Sequence, residues 1–427
     1  MIRVAIFPCG SEAGLEIHNA LQSEKNIQLF GASGVRCHGE AIFENYDCTI
    51  PFIDHPDFEE QFNAYLDRNK IDYVFPAYDD VIIKFAEMGD RLKARAVQST
   101  PDVCNVARFK SATYQALEGL DFCPKYSIDN TKLPSFPLFA KPDQGQGSQG
   151  IMKLATADEL TAAAGTLEGL VFCEFLSGPE YTIDCFTDRN GKLQVCAPRV
   201  RQRMKSGIAV RTASKTLTPR IKDIAEKILE RIPFRGVWFF QLKEDAEGNL
   251  KLLEVAPRIA GSMATTRARG MNLPLMAIYD CEGFDVTAFD NDVDVLLERF
   301  LGNRFLRSSE FKTVYIDFDD TITHQGRTNI DIMRFIYHCI NNAKRVVLIT
   351  RHAKDLTSSL AHHRISSALF DEIIHITDKS PKSEHIKPDQ AIFIDDSFAE
   401  RKDVHDRHAI PVYSVDAVES LIDWRHK

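Results

Sequence analysis

A lysine at the end of an apolar run, followed by a glycine-rich segment, is the first feature of this chain that could do chemistry. Lys141 is followed by Gly145, Gly147, Ser148 and Gly150. Glycines let backbone N–H groups approach a polyanion, and the lysine supplies a counter-charge. Because the lysine precedes the glycines and no helix directly follows them, this is not a GxxxxGK[ST] loop. A phosphate-binding loop is predicted, and a flexible glycine hairpin that carries a lysine by chance is the alternative.

A second candidate site lies on a predicted β-hairpin between residues 236 and 258. The turn at 245–249 brings Gln241 and Glu254 to nearly facing positions, and Arg258 follows closely. Mg²⁺ prefers hard oxygen ligands and usually takes only one or two from the protein. The hairpin therefore predicts Mg²⁺ bound to phosphate oxygens. The alternative is a solvent-exposed hairpin with a chance glutamate, although buried strands rarely carry Glu and Arg without a partner.

Three apolar runs in the last third of the chain end in polar residues. These residues, with two lysines from a polar segment, are Asp317 and Asp319, Thr350, Lys379 and Lys382, and Asp395 and Asp396. Carboxylates, a hydroxyl and a lysine at strand ends suit a phosphate-plus-Mg²⁺ site, with the four acids as candidate metal ligands. Polar strand ends also occur by chance in α/β sheets, but three in this order make coincidence a weak explanation.

The composition is that of a globular protein with several domains. The chain has 427 residues, a formal net charge of −9 and no long Lys/Arg run, which argues against nucleic acid as the main partner. Its apolar runs are too short to span a bilayer, and its N-terminus lacks the apolar core of a secretory signal. Ten cysteines without a CxxC pair indicate free thiols in a reducing compartment. We therefore expect a cytoplasmic protein with no membrane partner.

The elements that must position these residues fall into three predicted domains, 1–100, 101–300 and 311–427, with a linker at Leu301–Glu310. The first domain alternates strands and helices, which predicts an open parallel sheet with helices on both faces. A turn at Gly10–Gly14 follows its first strand, where such sheets bind ligands, and a plain tight turn is the alternative. Asp79 and Asp80 are candidates either for a substrate amine or for a helix N-cap.

In the second domain, residues 103–120 are predicted to form one helix with Lys110 near its start. Strands are expected at 194–200 and 210–215, joined by a basic segment at 199–203. The mixture of antiparallel hairpins and helices gives an α+β domain beside an α/β one.

These motifs, in this order, resemble the ATP-grasp superfamily over roughly residues 1 to 290, closest to its carbamoyl-phosphate-synthase-like branch. The residues that carry the resemblance are Lys110, Lys141 with its glycine loop, Glu174-Phe175-Leu176, Glu180 and the Gln241/Glu254 hairpin. The resemblance implies ATP and Mg²⁺ as cofactors. It also implies that both lysines contact ATP phosphates, and that the 143–150 loop closes over them.

The same resemblance implies a role for the other motif residues. The backbone of Glu174, Phe175 and Leu176 would contact the adenine edge, and Glu180 would hold the ribose hydroxyls. Gln241 and Glu254 would hold Mg²⁺, and Arg258 would stabilise the transferring phosphoryl group. One departure is visible, because Ala256 replaces the usual asparagine of Glu-x-Asn-x-Arg and cannot ligate a second metal. Four arginines are candidates for the carboxylate substrate, with a solvated basic strand as the alternative: Arg199, Arg201, Arg203 and Arg211.

The strand ends of the third domain resemble those of haloacid-dehalogenase-like phosphohydrolases, over about residues 311 to 427. That resemblance implies a Rossmann-like domain in which Asp317 is the nucleophile and Asp319 the general acid and base. Thr350 and Lys382 would hold phosphoryl oxygens, with Lys379 as the second choice for the lysine, and Asp395 and Asp396 would hold Mg²⁺. No large cap domain fits between the motifs, so either the substrate is large or the N-terminal part covers the site.

Together these features predict a bifunctional enzyme. An ATP-dependent carboxylate–amine ligase, with an amino acid among its substrates, would be fused to a phosphatase that acts on a phosphorylated metabolite. The second hypothesis makes the N-terminal part a small-molecule kinase or an ATP-sensing regulatory unit of the phosphatase, and a third treats the phosphatase domain as a scaffold. A homodimer is the commonest assembly for such enzymes. The sequence does not identify the substrates, because pocket residues come from variable loops.

Overall fold

The computed structural model describes residues 1–129, 132–145, 150–164, 169–205, 207–307 and 310–425. The chain divides into two compact units, Met1–Leu301 and Gly302–Lys427. The finer division of the first unit near residue 100 stays a prediction. Among the described residues, no helix has the length and apolar character needed to cross a bilayer.

The first unit begins with a five-stranded sheet whose paired strands are all parallel. Its strands and helices are β1 (Ile2–Phe7), α1 (Glu12–Leu21), β2 (Ile27–Ala32), β3 (Asn45–Asp47), α2 (Phe58–Asn69), β4 (Tyr73–Pro76), α3 (Asp79–Met88) and β5 (Arg95–Ala96). The order across the sheet is β3-β2-β1-β4-β5. The predicted parallel sheet is confirmed, and the turn after β1 lies at a carboxyl edge of this sheet.

The single helix predicted at 103–120 is wrong, because the structure has two helices, α4 (Pro101–Arg108) and α5 (Lys110–Ala116). Phe109 between them is extended, with φ −105° and ψ 124°. Asp143 explains the break, since its carboxylate accepts hydrogen bonds from the backbone N–H and the hydroxyl of Ser111 at 2.8 and 2.6 Å. A distant carboxylate therefore starts a new helix and places Lys110 at its first position.

A four-stranded antiparallel sheet follows. It consists of β6 (Tyr126–Ser127), β7 (Leu138–Pro142), β8 (Met152–Leu154) and β9 (Leu170–Glu174), with α6 (Ala157–Ala164) before the last strand. The order is β6-β9-β7-β8. Lys141 lies on β7, and the glycine-rich segment connects β7 to β8, as predicted.

A six-stranded antiparallel sheet completes the first unit. Its elements are β10 (Glu180–Thr187), β11 (Leu193–Lys205), β12 (Ile208–Ser214), α7 (Pro219–Arg231), β13 (Gly236–Glu244), β14 (Leu250–Ala256), α8 (Ala264–Ala268), α9 (Leu273–Cys281) and β15 (Leu296–Glu298). The order is β14-β13-β10-β11-β12-β15. The basic segment 199–203 belongs to β11 and does not join two strands, so that prediction is wrong. Alternation along a strand then directs these arginines to particular faces.

The second unit is built on a five-stranded sheet whose paired strands are all parallel. Its elements are β16 (Thr313–Ile316), β17 (Thr323–His324), β18 (Arg327–Thr328), α10 (Ile330–Asn341), β19 (Arg345–Thr350), α11 (Leu356–His362), β20 (Glu372–His375), β21 (Ala391–Ile394), α12 (Phe398–His408) and β22 (Val412–Tyr413). The order β20-β19-β16-β21-β22 places β16 between β19 and β21, with β17 and β18 as a separate hairpin. The carboxyl ends of these three central strands are therefore neighbours, where such sheets bind ligands.

Candidate functional sites

Ten of the predicted residues of the first unit line one cavity of about 600 Å³. They are Lys110, Lys141, Gly145, Glu174, Phe175, Leu176, Glu180, Gln241, Glu254 and Arg258. The predicted Gly147 and Ser148 lie outside the described residues. Gly150 has a positive φ of 67°, a conformation that favours glycine. Elements far apart in sequence thus bring the predicted residues to one place.

Both predicted phosphate-binding lysines are buried, with 9% exposure for Lys110 and 4% for Lys141. Lys110 Nζ donates to the carbonyl oxygens of Pro142, Asp143 and Gly145 at 3.1, 3.3 and 3.2 Å. Burial lowers the pKa of Lys110. An ammonium has three N–H donors, so in this structure Lys110 holds the first residues of the glycine-rich segment.

Lys141 has a different environment. Its Nζ donates to the hydroxyl of Tyr114 at 2.6 Å and to the carbonyl of Leu253 at 3.0 Å. The Tyr114 hydroxyl in turn donates to the same carbonyl at 2.7 Å. Among the described residues, these two acceptors leave one of the three ammonium donors for a ligand, and the fixed tyrosine orients the ammonium. Tyr114 was not predicted, because a tyrosine inside a helix carries no motif.

The predicted adenine-binding segment follows the end of β9. Glu174 Oε1 accepts a hydrogen bond from the backbone N–H of Lys125 at 2.8 Å, so this side chain is anchored to the neighbouring loop. Lys153 Nζ lies 4.1 Å above the ring of Phe175, and Leu176 is buried. The cavity wall here is largely apolar, which suits a flat aromatic base.

Glu180, predicted to hold ribose hydroxyls, forms an ion pair with Arg201. Lys243 Nζ is 3.5 Å from its other carboxylate oxygen. Arg201 also donates to Gln241 Oε1 at 3.1 Å. One arginine therefore contacts the predicted ribose acceptor and a predicted metal ligand, a link that sequence spacing did not indicate.

The predicted metal-binding hairpin has the expected register. Gln241 and Glu254 lie directly opposite each other on β13 and β14. Ala256 on β14 pairs with Phe239, and neither side chain offers a metal ligand. Among the described residues, these two oxygen-bearing side chains fit one Mg²⁺ that also binds phosphate oxygens.

Arg258, predicted to act on the transferring phosphoryl group, forms a two-point ion pair with Asp79 at the start of α3. Asp80 pairs with Arg108, whose Nη2 is 2.5 Å from Asp80 Oδ1. Burial raises the pKa of Asp79, but the Arg258 guanidinium more than offsets this, so the pKa lies below its usual value. Neither aspartate is the N-cap of α3, which is Tyr78.

The four arginines considered for a carboxylate substrate separate into two pairs. Arg199 and Arg201 line the cavity, whereas Arg203 and Arg211 do not and instead contact Glu298 on β15. A register shift on β11 between Arg201 and Arg203 accounts for the different position of Arg203, because such a shift changes the face that the following side chains occupy. Arg211 lies on β12 and pairs with Arg203.

In the second unit, three predicted residues meet at the ends of β16 and β21. Lys382 Nζ donates to Asp317 Oδ1 at 2.5 Å and to Asp395 Oδ2 at 2.6 Å. Carboxylate oxygens of Asp317, Asp395 and Asp396 lie within 4.8 Å of one another, a spacing that suits a divalent cation. Burial raises the pKa of Asp317 to about 6, although Lys382 lowers it in part. Asp396 also has a raised pKa, mainly through burial and then through Asp395.

The structure gives three other predicted residues of this site different environments: Thr350, Asp319 and Lys379. Thr350 Oγ1 at the end of β19 is buried and has no hydrogen-bond partner in the described parts of the chain, as a hydroxyl awaiting a phosphoryl oxygen would. Asp319, predicted as a fourth metal ligand, is not part of the three-carboxylate group found among the described residues; its carboxylate instead contacts His352 Nδ1 at 2.9 Å. Lys379 is exposed, so Lys382 is the lysine of this site.

Comparisons with known proteins agree with the fold of the first unit. A family model described as "ATP-grasp in the biosynthetic pathway with Ter operon" matches residues 166–297. Biotin carboxylase from Campylobacter jejuni is similar in structure, with TM-score 0.57, 14% identity, and coverage of 67% of this chain and 72% of that one. N5-carboxyaminoimidazole synthetase from Staphylococcus aureus has TM-score 0.58 and 14% identity, with coverage of 70% of this chain and 82% of that one. L-amino acid ligase from Bacillus licheniformis has TM-score 0.54 and 18% identity, with coverage of 65% of this chain and 73% of that one.

A search of curated proteins gave no match. At the identities of the solved structures, the likeness establishes fold alone. The predicted ATP-grasp fold is therefore confirmed. The haloacid-dehalogenase-like family of the second unit stays a prediction.

Proposed function

We propose that the first unit is an ATP-dependent carboxylate–amine ligase that acts through an acyl-phosphate. The observation that carries this proposal is the convergence of Lys110, Lys141, Gln241, Glu254 and Arg258 on one cavity of about 600 Å³. Two cations, a pair of oxygen ligands and an arginine suit a triphosphate with Mg²⁺. The similarity to an L-amino acid ligase and to N5-carboxyaminoimidazole synthetase supports the same reaction class.

In this reaction the protein acts mainly by placement. Lys141 and Lys110 neutralise the triphosphate, and Gln241 and Glu254 would hold the Mg²⁺, which would balance the remaining charge. Arg258 stabilises the phosphoryl group as a substrate carboxylate oxygen attacks the γ-phosphorus and ADP leaves. An amine then attacks the acyl carbon, phosphate leaves, and the amine loses a proton to give the amide. Exclusion of water from the cavity would prevent hydrolysis of the acyl-phosphate.

The test uses the Asp317→Asn variant, which removes any phosphatase background. ADP formation from MgATP is followed with pools of amino acids and small carboxylates, and products are identified by mass. ADP that requires two substrates, and a product lighter than their sum by one water, supports the ligase. ADP with a single acceptor and a phosphorylated product would instead make this unit a kinase. ATP binding without turnover would favour the ATP-sensing alternative.

A specific observation favours a second activity. Lys382 bridges Asp317 and Asp395 beside Asp396, and the buried Thr350 hydroxyl has no hydrogen-bond partner among the described residues. We propose a Mg²⁺-dependent phosphatase in which Asp317 attacks phosphorus and forms an aspartyl-phosphate that water then hydrolyses. Carboxylates at this spacing suit Mg²⁺, which would neutralise the phosphoryl charge.

In this second proposal Asp319 protonates the leaving oxygen and later removes a proton from water. Release of phosphate from phosphomonoesters by the wild type, and its loss in Asp317→Asn, would support the activity. Equal rates in both proteins would overturn it. The expected substrate is a phosphorylated metabolite related to the ligase reaction, and the expected location of both activities is the cytoplasm.

A further inference from the structure

Arg199 is a buried arginine with one donor group left over. Its side chain is 1% exposed, yet it lines the cavity of the first unit. Nη1 pairs with Asp184, and Nε donates to Ser262 Oγ at 3.1 Å. Nη2 is buried and has no hydrogen-bond partner among the residues that the structure describes. Leaving such a buried donor unpaired is unfavourable, so an acceptor from a ligand is expected.

The surroundings prevent this guanidinium from turning toward another acceptor. Asp184 is 1% exposed, and its Oδ2 accepts a hydrogen bond from Thr266 Oγ1 at 2.6 Å in addition to the contact with Arg199. Ser262 fixes the guanidinium from a second direction. The plane is therefore held by two elements outside β11, and such a rigid fork is suited to recognising a carboxylate.

The register of the sheet shows which part of the cavity Arg199 serves. On β10, Thr182 pairs with Arg199 on one side and with Gln241 on the other. These three residues form one row across adjacent strands, which lie about 4.8 Å apart. Glu180 and Arg201 belong to the next row, about 7 Å further along the strands.

Arg199 is thus level with the proposed metal ligand Gln241 and one row away from Glu180, the proposed ribose contact. An acceptor for Nη2 in this row would lie beside the metal-bound phosphates. The charge of the cavity agrees, because seven cationic side chains and four carboxylates are among its described lining residues. The excess of positive charge suits the triphosphate together with a further anion.

We propose that Arg199 Nη2 binds the carboxylate of the substrate that is phosphorylated, an inference that rests on the proposed ligase. One carboxylate oxygen accepts from Nη2 while the other forms the new bond to the γ-phosphorus, and the bond from phosphorus to ADP breaks. The oxygen on Nη2 becomes the carbonyl oxygen of the acyl-phosphate. Nη2 then polarises this carbonyl when the amine attacks and phosphate leaves. The substrate class is a small organic carboxylate.

The test measures binding by thermal shift with full-length protein. The probes are Mg²⁺ with a non-hydrolysable ATP analogue, alone and together with single amino acids or small carboxylates. Arg199→Lys keeps a cation beside Asp184 but removes the fork. We expect the half-saturating carboxylate concentration to rise roughly 10- to 100-fold, the range for a charged hydrogen bond. The half-saturating nucleotide concentration should change less than about twofold, because Arg199 is one row away from Glu180, the proposed ribose contact, and its Nη2 is assigned to the carboxylate.

Two further variants keep the proposal falsifiable. Ser262→Ala leaves the Asp184–Arg199 pair intact, so it tests the subsite even where Arg199→Lys fails to fold, and we expect a smaller loss of carboxylate affinity. Arg203→Lys on the same strand is the matched control, because this side chain contacts Glu298 and does not line the cavity. It should bind both probes as the wild type does. In the wild type, the primary amide of the best carboxylate should bind at least about tenfold more weakly.

The outcomes separate this subsite from the ligase. If the nucleotide analogue raises the melting temperature of all variants, but Arg199→Lys and Ser262→Ala bind the carboxylate with unchanged affinity, the carboxylate subsite is overturned. The proposed ligase activity is unaffected by that result. A nucleotide shift with no carboxylate effect in the wild type also overturns the subsite. Absence of any nucleotide shift in the wild type would count against the ligase itself, and the subsite would fall with it.

Discussion

Lys382 Nζ donates to Asp317 Oδ1 at 2.5 Å, and each of these side chains is only 5% exposed. The same ammonium donates to Asp395 Oδ2 at 2.6 Å, so one lysine is the shared counter-charge of two buried carboxylates. Asp396 adds a third carboxylate nearby. The stability and the proposed chemistry of the second unit therefore depend on the same side chain.

Replacement of Lys382 by alanine should lower both the stability of the second unit and its proposed phosphatase activity. Two buried carboxylates would lose their partner, a change that typically costs about 3–5 kcal/mol at neutral pH, so the melting temperature should fall. Hydrolysis of p-nitrophenyl phosphate should fall at least about 100-fold, as on removal of a donor that stabilises transition-state charge. Lys379→Ala is the matched control, because Lys379 is exposed and three residues away. Equal losses in the two variants would contradict the assignment.

The raised pKa of Asp317, about 6, predicts a pH-dependent effect of Asp317→Asn. Since the folded carboxyl holds its proton more tightly than the unfolded one, this group favours folding below pH 4, and that contribution is lost as the pH rises through about 6. Asparagine mimics the protonated form. In EDTA the variant should therefore be more stable than the wild type at pH 8, by up to about 3 kcal/mol, and about equal to it at pH 4.

Mg²⁺ provides the control for this prediction. At the proposed site it would bind the ionised carboxylates, so it should raise the melting temperature of the wild type at pH 8 and have much less effect on Asp317→Asn. Calorimetry at both pH values, with and without Mg²⁺, measures the four conditions. Identical pH profiles of the two proteins would show that Asp317 does not titrate as inferred.

His352 is expected to hold Asp319 in place for proton transfer. Its Nδ1 is 2.9 Å from Asp319 Oδ2, and its Nε2 is 2.7 Å from Ser359 Oγ. General acid catalysis matters most when the leaving group is a poor one. His352→Ala should therefore slow hydrolysis of an alkyl phosphate roughly 10- to 100-fold, and that of 2,4-dinitrophenyl phosphate far less.

His362 is exposed, so His362→Ala controls for general effects of losing a histidine in this unit. It should hydrolyse both esters at wild-type rates. If His352→Ala slowed both esters equally, its role would be structural, and Asp319 would need another explanation.

Features fixed by local pattern were predictable from sequence. Gln241 and Glu254 could be predicted to lie near facing positions because a short turn sets the register of their hairpin to within one residue. An irregularity between Gln241 and Leu242 then places Gln241 opposite Glu254, where counting from the turn alone would give Leu253. Asp317, Thr350 and Asp395 follow strands that are neighbours in a parallel sheet, and such strands end at the same edge. In both cases a short-range rule carries the prediction.

Features that depend on contacts between residues far apart in the chain were not predictable from sequence. The break at Phe109 depends on the carboxylate of Asp143, and the position of Arg258 depends on Asp79, 179 residues away in the chain. Arg201 reaches Glu180 and Gln241 only because β10, β11 and β13 are neighbours. None of these contacts has a periodicity or spacing that a single sequence could reveal.

The proposed metal role of the Gln241/Glu254 pair gives a last prediction. Glu254→Gln replaces a charged oxygen ligand by a neutral one in the cavity of the first unit. Because Mg²⁺ is held mainly by charged oxygens, the Mg²⁺ concentration that half-saturates ADP formation should rise about tenfold or more. Adenosine, which has no phosphates, should bind the variant as it binds the wild type. Glu247→Gln in the turn of the same hairpin is the control. An unchanged Mg²⁺ dependence of Glu254→Gln would mean that the metal is held elsewhere.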